Sequence, residues 1–248
     1  MCYILPQNKI FYFNIFNFID IMVKMEKVRT ILLNRSAYAD NDQEADALRS
    51  YLKDHQTFVI NLMSSPGAGK TTTLIKLINI LKKDFKIGVM EADIDSDVDA
   101  VNVAKSTGVT SIQLHTNGMC HLDAGMTKTG LDGINFNDFD LIFLENVGNL
   151  VCPAEFDTGA SMDMMILSVP EGDDKPIKYP LVFEKSKLVL INKIDALPYF
   201  DFNIEKCISN IKYRNKNATI IPISAKTGKN IDLVAKYFKD IVSNWRNS

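Results

Sequence analysis

From residue 57 onward, short unbroken apolar runs alternate with longer stretches in which apolar residues recur every three or four positions. Runs such as "LVLI" and "LIFL" have strand length and lack the polar alternation of a half-exposed sheet, so they predict strands covered on both faces. The predicted strands are Thr57–Met63, Lys86–Glu91, Ser111–Leu114, Asp140–Glu145, Met164–Val169, Lys187–Ile191 and Thr219–Ile223. Between them the helical period predicts Thr71–Lys82, Asp97–Ser106, Gly118–Thr129, Pro176–Lys185, Asn203–Arg214 and Ile231–Trp245. This βαβα rhythm places the chain in the α/β class, with a mostly parallel sheet flanked by helices on both faces. Ahead of it, Glu26–Lys53 reads as one or two charged helices packed on the sheet's edge. The chain therefore divides into an N-terminal helical segment, 25–56, and a main domain, 57–248.

Residues 1–24 break the pattern. "IFYFNIFNFIDIMV", Ile10–Val23, is apolar except at Asn14, Asn17 and Asp20. It falls short of the roughly 20 apolar residues of a membrane span. With only Lys9 ahead of it and no small-residue cleavage site behind, it is a poor signal peptide. The segment reads as a leader outside the functional domain, with a docked amphipathic helix as the alternative.

Composition changes this picture little, but it narrows the partners. The net charge is −2 and the basic residues are scattered, leaving neither a nucleic-acid footprint nor a polybasic membrane patch. Cys2, Cys120, Cys152 and Cys207 lack the spacing of a disulfide framework. Such cysteines in an α/β chain point to reduced thiols or metal ligands, and so to the cytoplasm.

The chemistry begins at "SSPGAGKTT", between a predicted strand and a predicted helix. Backbone N–H groups of Gly67, Ala68 and Gly69, together with the helix N-terminus, suit phosphate oxygens. Lys70 places an ammonium on the outer phosphates, Thr71 offers a magnesium ligand, and Thr72 continues the turn. Ser64 stands where the usual P-loop has glycine.

The base is read further along. In "NKID", Asn192–Asp195, the Asp195 carboxylate can accept two hydrogen bonds side by side, which guanine donates and adenine does not. Lys193 can lie along the base, and Asn192 can brace the loops. In "SAKTGKN", Ser224, Ala225 and Lys226 follow another strand, and the Ala225 N–H is placed to meet the guanine carbonyl. The three motifs, each at a strand's end, predict a GTPase. Magnesium also needs a carboxylate. Asp93, after "KIGVMEA", and Glu145, ending "DLIFLE", are the candidates, one holding the metal and the other polarising water. In "DIDSDVD", Asp95, Asp97 and Asp99 add negative charge, and Ser96 or Asp97 can cap the next helix.

A second cluster is soft. Cys120 and His121 lie in "NGMCHLDAG", and Cys152 lies in "NLVCPAEFD". Thiolate and imidazole suit nickel or zinc, and three ligands leave one position for water, another side chain or a second subunit. A buried cysteine can equally be a small core residue. His115 is a weaker candidate ligand, and His55 and Cys207 are assigned to packing or surface.

At "SSPGAGKTT", "CHLDA", "ENVGNLVCPAEFD", "SVPEGDDKPIKYP", "INKID" and "SAKTG" the sequence resembles the HypB hydrogenase nickel-incorporation GTPases, from about Lys53 to Lys239. The resemblance implies the P-loop fold of the nickel- and cobalamin-chaperone branch and GTP-dependent delivery of nickel to the large subunit of nickel–iron hydrogenase. It also implies metal binding at Cys120, His121 and Cys152, a homodimer formed around GTP, and the small nickel chaperone HypA as partner. The chain departs from the family pattern at "EADIDSDVDA", where Ala92 replaces glycine and Ser96 replaces threonine. It also lacks an N-terminal cysteine motif or histidine-rich tract. Two other readings stay open: a chaperone GTPase for another metallocentre such as urease, or a regulatory GTP-binding module whose zinc is purely structural.

Overall fold

The computed structural model describes residues 28–32, 41–93 and 98–248. The leader, most of the linking residues around it, and Asp95, Ser96 and Asp97 lie outside the described residues. In chain order the elements are β1 (Val28–Leu32), α1 (Asn41–Asp54), β2 (Phe58–Ser64), α2 (Lys70–Leu81), β3 (Ile87–Asp93) and α3 (Val98–Thr107). Then come β4 (Thr110–His115), α4 (Ala124–Ile134), β5 (Leu141–Glu145), α5 (Cys152–Glu155), β6 (Met162–Ser168), α6 (Lys175–Lys178) and α7 (Pro180–Lys185). The chain closes with β7 (Leu188–Asn192), α8 (Ile204–Arg214), β8 (Thr219–Pro222) and α9 (Ile231–Asn247).

Among the described residues, eight strands form one sheet in the order β1-β4-β3-β5-β2-β6-β7-β8, and every pairing is parallel. The parallel α/β sheet predicted by the apolar runs is therefore what forms. On β2, Phe58, Ile60 and Leu62 face the core beneath α2 and α9, with Leu74, Leu77, Phe143 and Phe238. Val59 faces the opposite side, with Leu48 and Leu52 of α1 and Leu131 of α4. Met63 packs into a third cluster, with Phe183 of α7 and Cys207 of α8. Burying a large apolar side chain contributes about 1.5–3 kcal/mol, and the two covered faces explain why the strands read as unbroken apolar runs.

Three elements differ from the expectation. Residues 28–32 form an edge strand along β4 rather than part of a charged helix, and the sequence "VRTIL" is rich in residue types that favour strands. The helix expected from Gly118 begins only at Ala124. Asn117 and Gly118 are left-handed, and Asp123 caps the helix by accepting from the Met126 N–H at 2.7 Å. The helix expected over 176–185 is two short ones, broken at Tyr179 ahead of Pro180.

Because all strands run the same way, their carboxyl ends share one edge of the sheet. Ser64, Asp93, His115, Glu145, Ser168 and Asn192 end their strands there, and every motif singled out in the sequence begins at or follows one of them or β8. β2 returns to the sheet's middle, between β5 and β6, so the chain moves outward to either side of it. Such a reversal opens a crevice at the strand ends.

Candidate functional site

The turn after β2 is built for a close backbone approach. Gly67 and Gly69 have φ of 71° and 96°, and Gly69 is the N-cap of α2 with no side-chain cap on the N–H groups behind it. A Cβ on Gly69 would lie 2.5 Å from Asn192 Nδ2, so only glycine fits without displacement. Lys70 donates to Ser64 Oγ at 3.1 Å and lies 3.8 Å from a Glu145 carboxylate oxygen. The serine that departs from the usual pattern thus holds the P-loop lysine.

Asn192 ties three loops together. Its Nδ2 donates to Ala68 O at 2.9 Å, and its Oδ1 accepts from the Lys193 N–H at 2.7 Å and the Ala225 N–H at 3.0 Å. Lys193, left-handed at φ 63°, sends its ammonium to Gly67 O at 2.6 Å. Ser224 Oγ donates to Asp195 Oδ1 at 2.6 Å and fixes that carboxylate. The bracing expected of Asn192 is present. The Ala225 N–H, expected at the guanine carbonyl, is instead committed to Asn192.

Beside the turn lies a cavity of about 320 Å³, bounded by Gly67, Lys70, Glu91, Asp93 and Glu145 and closed by Asn146–Gly148. Gln113, Glu91 and Glu145 are register partners on β4, β3 and β5. They form a buried row, and one side-chain oxygen of each is without a partner. Burial pushes the Glu145 carboxyl up to about 7, against the Lys70 ammonium and hydrogen bonds from Glu91 and Thr71. Burial first, and then the Glu145 charge, pushes Glu91 well above the usual carboxylate range. Unpartnered carboxyl oxygens beside a threonine hydroxyl are a donor set suited to a hard cation such as magnesium. Glu91 and Gln113 did not emerge from the sequence. The available signal was a carboxylate inside the otherwise apolar run "IGVMEA".

The soft cluster hangs from the walls of this cavity. Asp93 O accepts from the Thr116 N–H at 3.1 Å, and Thr116 Oγ1 donates to Met119 O at 2.6 Å, which fixes the turn leading to Cys120. From the other wall, Gly148 packs on Pro66, where a Cβ would meet it at 3.1 Å. The next residue, Asn149, and then Cys152 come close enough to Cys120 to act on its thiol. The Cys152 contact, followed by burial, raises the Cys120 thiol. His121 is buried, with Nδ1 3.9 Å from Cys120 Sγ and its ring stacked on Phe156 at 3.7 Å. Cys120 thus has the His121 imidazole beside it and the Cys152 thiol near enough to shift it. Among the described residues, no three or more His, Cys, Asp or Glu side chains close into a metal shell. His115 sits opposite Asp93 with a buried, unpartnered Nε2. Cys207 is core, its thiol pushed up to about 12 by burial, and His55 is exposed against the Tyr51 ring, both as expected.

Residues 58–222 match the family model described as CobW/HypB/UreG, nucleotide-binding domain. A hydrogenase maturation factor HypB from Azotobacter chroococcum mcd 1 is 41% identical over 205 residues, covering 83% of this chain and 67% of that one. The HypB of Escherichia coli K12 is 42% identical over 192 residues, covering 77% and 66%. The chain thus spans about two thirds of the length of these relatives. Among solved structures, HypB from Helicobacter pylori in complex with nickel superposes with a TM-score of 0.78 at 35% identity, covering 83% of this chain and 96% of that one.

Proposed function

Since the chain belongs to the CobW/HypB/UreG nucleotide-binding family, we propose that it is a GTP-hydrolysing metallochaperone that helps insert nickel into nickel–iron hydrogenase. Gly67–Thr72 bind the phosphates, and the Lys70 ammonium, now held by Ser64 and Glu145, turns to the outer ones. Asp195, oriented by Ser224, reads guanine, with Lys193 along the base and Ala225 and Lys226 in the loop behind it. Thr71, Asp93 and Glu145 would hold Mg²⁺, which would neutralise charge developing on the transferred phosphoryl group. Nickel is the cargo, and Cys120, His121 and Cys152 are its ligands, with zinc as a competitor of the same ligand preference.

The observation that carries this reading is the shared wall: Gly148 bounds the cavity, while the next residue, Asn149, and Cys152 lie close enough to Cys120 to shift its thiol. Filling the cavity beside Lys70 acts on the segment that supplies one thiol. A second protomer covering this edge would complete the metal's coordination, giving a GTP-dependent homodimer. HypA upstream and the hydrogenase large subunit downstream are the partners, in the cytoplasm. Residues 57–248 form the GTPase domain, with 25–56 as an N-terminal addition and 1–24 as a leader. Among the described residues no helix is long and apolar enough to cross a membrane.

The test is nickel titration of the protein loaded with GDP and with a non-hydrolysable GTP analogue, with oligomer size and GTP turnover read in parallel. Different nickel affinities in the two states are expected. Equal affinities would remove the coupling, since a ligand shifts an equilibrium only through differential binding.

A further inference from the structure

The segment 146–161, which carries Cys152, leaves the sheet at the end of β5 and returns at the start of β6. Both ends are tied to β2, the strand that runs into the P-loop. At the departure, the Asn146 N–H donates to Leu62 O at 3.0 Å. At the return, the Ser161 N–H donates to Val59 O at 2.9 Å, and Ser161 Oγ accepts from the Val59 N–H at 3.2 Å. Between these ties lies one polar side chain in an otherwise apolar stretch of strand, Asn61, which is 1% exposed. Its Oδ1 accepts from Asn146 Nδ2 at 3.0 Å, and its Nδ2 donates to Asp163 Oδ1 at 2.8 Å. Asn146 Oδ1 in turn accepts from the Val147 N–H at 2.9 Å. All three donors point the same way along the chain, from Val147 on the cavity wall to the Asp163 carboxylate.

Only a side-chain amide makes this bridge, because it offers an acceptor and a donor on opposite sides of one strand. Aspartate would set a charge against Asp163, and leucine would leave Asn146 and Asp163 unsatisfied under the sheet. The hydrophobic clusters on this face stop on either side of it, with Val59 in one and Met63 in the other. A buried polar chain kept at such a seam needs a reason, and the residue it fixes stands between Glu145 and Gly148.

We propose that Asn61 is a positioning residue that holds Asn146 as a fixed pivot, so that movement of Gly148 against the P-loop is passed to Asn149 and Cys152 instead of being absorbed at the strand end. The inference rests on the metallochaperone reading and deepens it, by naming the group that couples nucleotide state to metal affinity. Nothing in the chain's own course requires Asn61 to touch nucleotide or metal.

The experiment uses the full chain. Asn61→Leu removes both bonds, Asn146→Ala opens the same chain from its other side, and Asp163→Asn keeps an acceptor for Asn61. Backbone hydrogen exchange over 146–152 is read without nickel, and nickel dissociation constants are then measured with GDP and with the GTP analogue. For Asn61→Leu the expected result is at least tenfold faster exchange at the Val147 N–H, guanine-nucleotide affinity within about threefold of wild type, and a nickel affinity ratio between nucleotide states reduced to within twofold of one. Asn146→Ala should match its exchange rate and its nickel ratio, and serves if Asn61→Leu fails to fold. Asp163→Asn should retain the wild-type ratio, a distinction that simple loss of stability would not make. Unchanged exchange in the two disrupted variants overturns the proposal, as does faster exchange with the wild-type ratio kept. A ratio of one in the wild type overturns the coupling itself and this inference with it. If the wild type shows a ratio and Asn61→Leu shows the same one, only the inference fails.

Discussion

Asp195→Asn separates a guanine-reading carboxylate from a structural one. Ser224 Oγ reaches Asp195 Oδ1 at 2.6 Å, and the Ile194 N–H bonds Ile223 O at 3.1 Å, so the two loops hold this side chain in one orientation. In the variant, the amide oxygen keeps the serine and the amide nitrogen takes the place of Oδ2. One acceptor for the guanine edge becomes a donor facing a donor. A hydrogen bond to a charged group contributes about 1.5–3 kcal/mol, and a donor left facing a donor adds to the loss. The expected penalty for GTP is about 3 kcal/mol, roughly a hundredfold in affinity. Xanthine presents one N–H and one carbonyl at the same edge, which matches the amide, so XTP should bind the variant better than GTP does. Competition of GTP, XTP and ATP against a fluorescent guanine nucleotide reads this directly, with thermal melting to establish that both proteins are folded. GTP affinity within threefold of wild type, with no gain for XTP, would refute the assignment of Asp195 and the orientation argued from Ser224.

Gly69→Ala places a Cβ 2.5 Å from Asn192 Nδ2 at a φ of 96°. Strain of about 1–3 kcal/mol and loss of the Asn192–Ala68 bond should lower GTP affinity at least tenfold and lower the melting temperature, both measured on the purified variant. Magnesium dependence should follow the Glu145 carboxyl, whose pKa is raised by burial to about 7. Below that pH the cation must displace a proton, so the magnesium-dependent gain in GTP affinity should weaken by up to tenfold per pH unit and level off above it. A titration from pH 6 to 8 showing no slope would count against Glu145 as ligand. Alkylation at pH 8 should label Cys120 and Cys152 well ahead of Cys207, which is buried with its thiol raised to about 12. Nickel should protect only the first two, as peptide masses would reveal.

What was legible in the sequence follows from local rules. Parallel strands covered on both faces must be continuously apolar, so β2, β3, β5 and β7 could be read within a residue or two of their ends. A phosphate-binding turn needs glycines where φ is positive and a lysine at the helix start, so the turn could be read from Gly67, Gly69 and Lys70. The edge strand at 28–32 could not, because its pairing depends on where β4 lies, and "VRTIL" carries no periodicity strong enough to decide. Nor could the break at Tyr179 be placed, where one proline divided a helical pattern.

The sequence by itself determined which chemical groups exist and which end of each strand they follow: the P-loop amides and lysine, the Asp195 carboxylate, and the two thiols with their imidazole. Tertiary structure alone decided which of them meet. Glu91 became part of the site only because register sets it beside Glu145 and Gln113, and Asn61 came to bridge Asn146 and Asp163 only because β2 lies between β5 and β6. A periodic pattern records whether a side chain is buried, since burial depends on its own strand. It does not record the neighbour across the sheet, which is fixed by strand order and register between residues far apart in the chain.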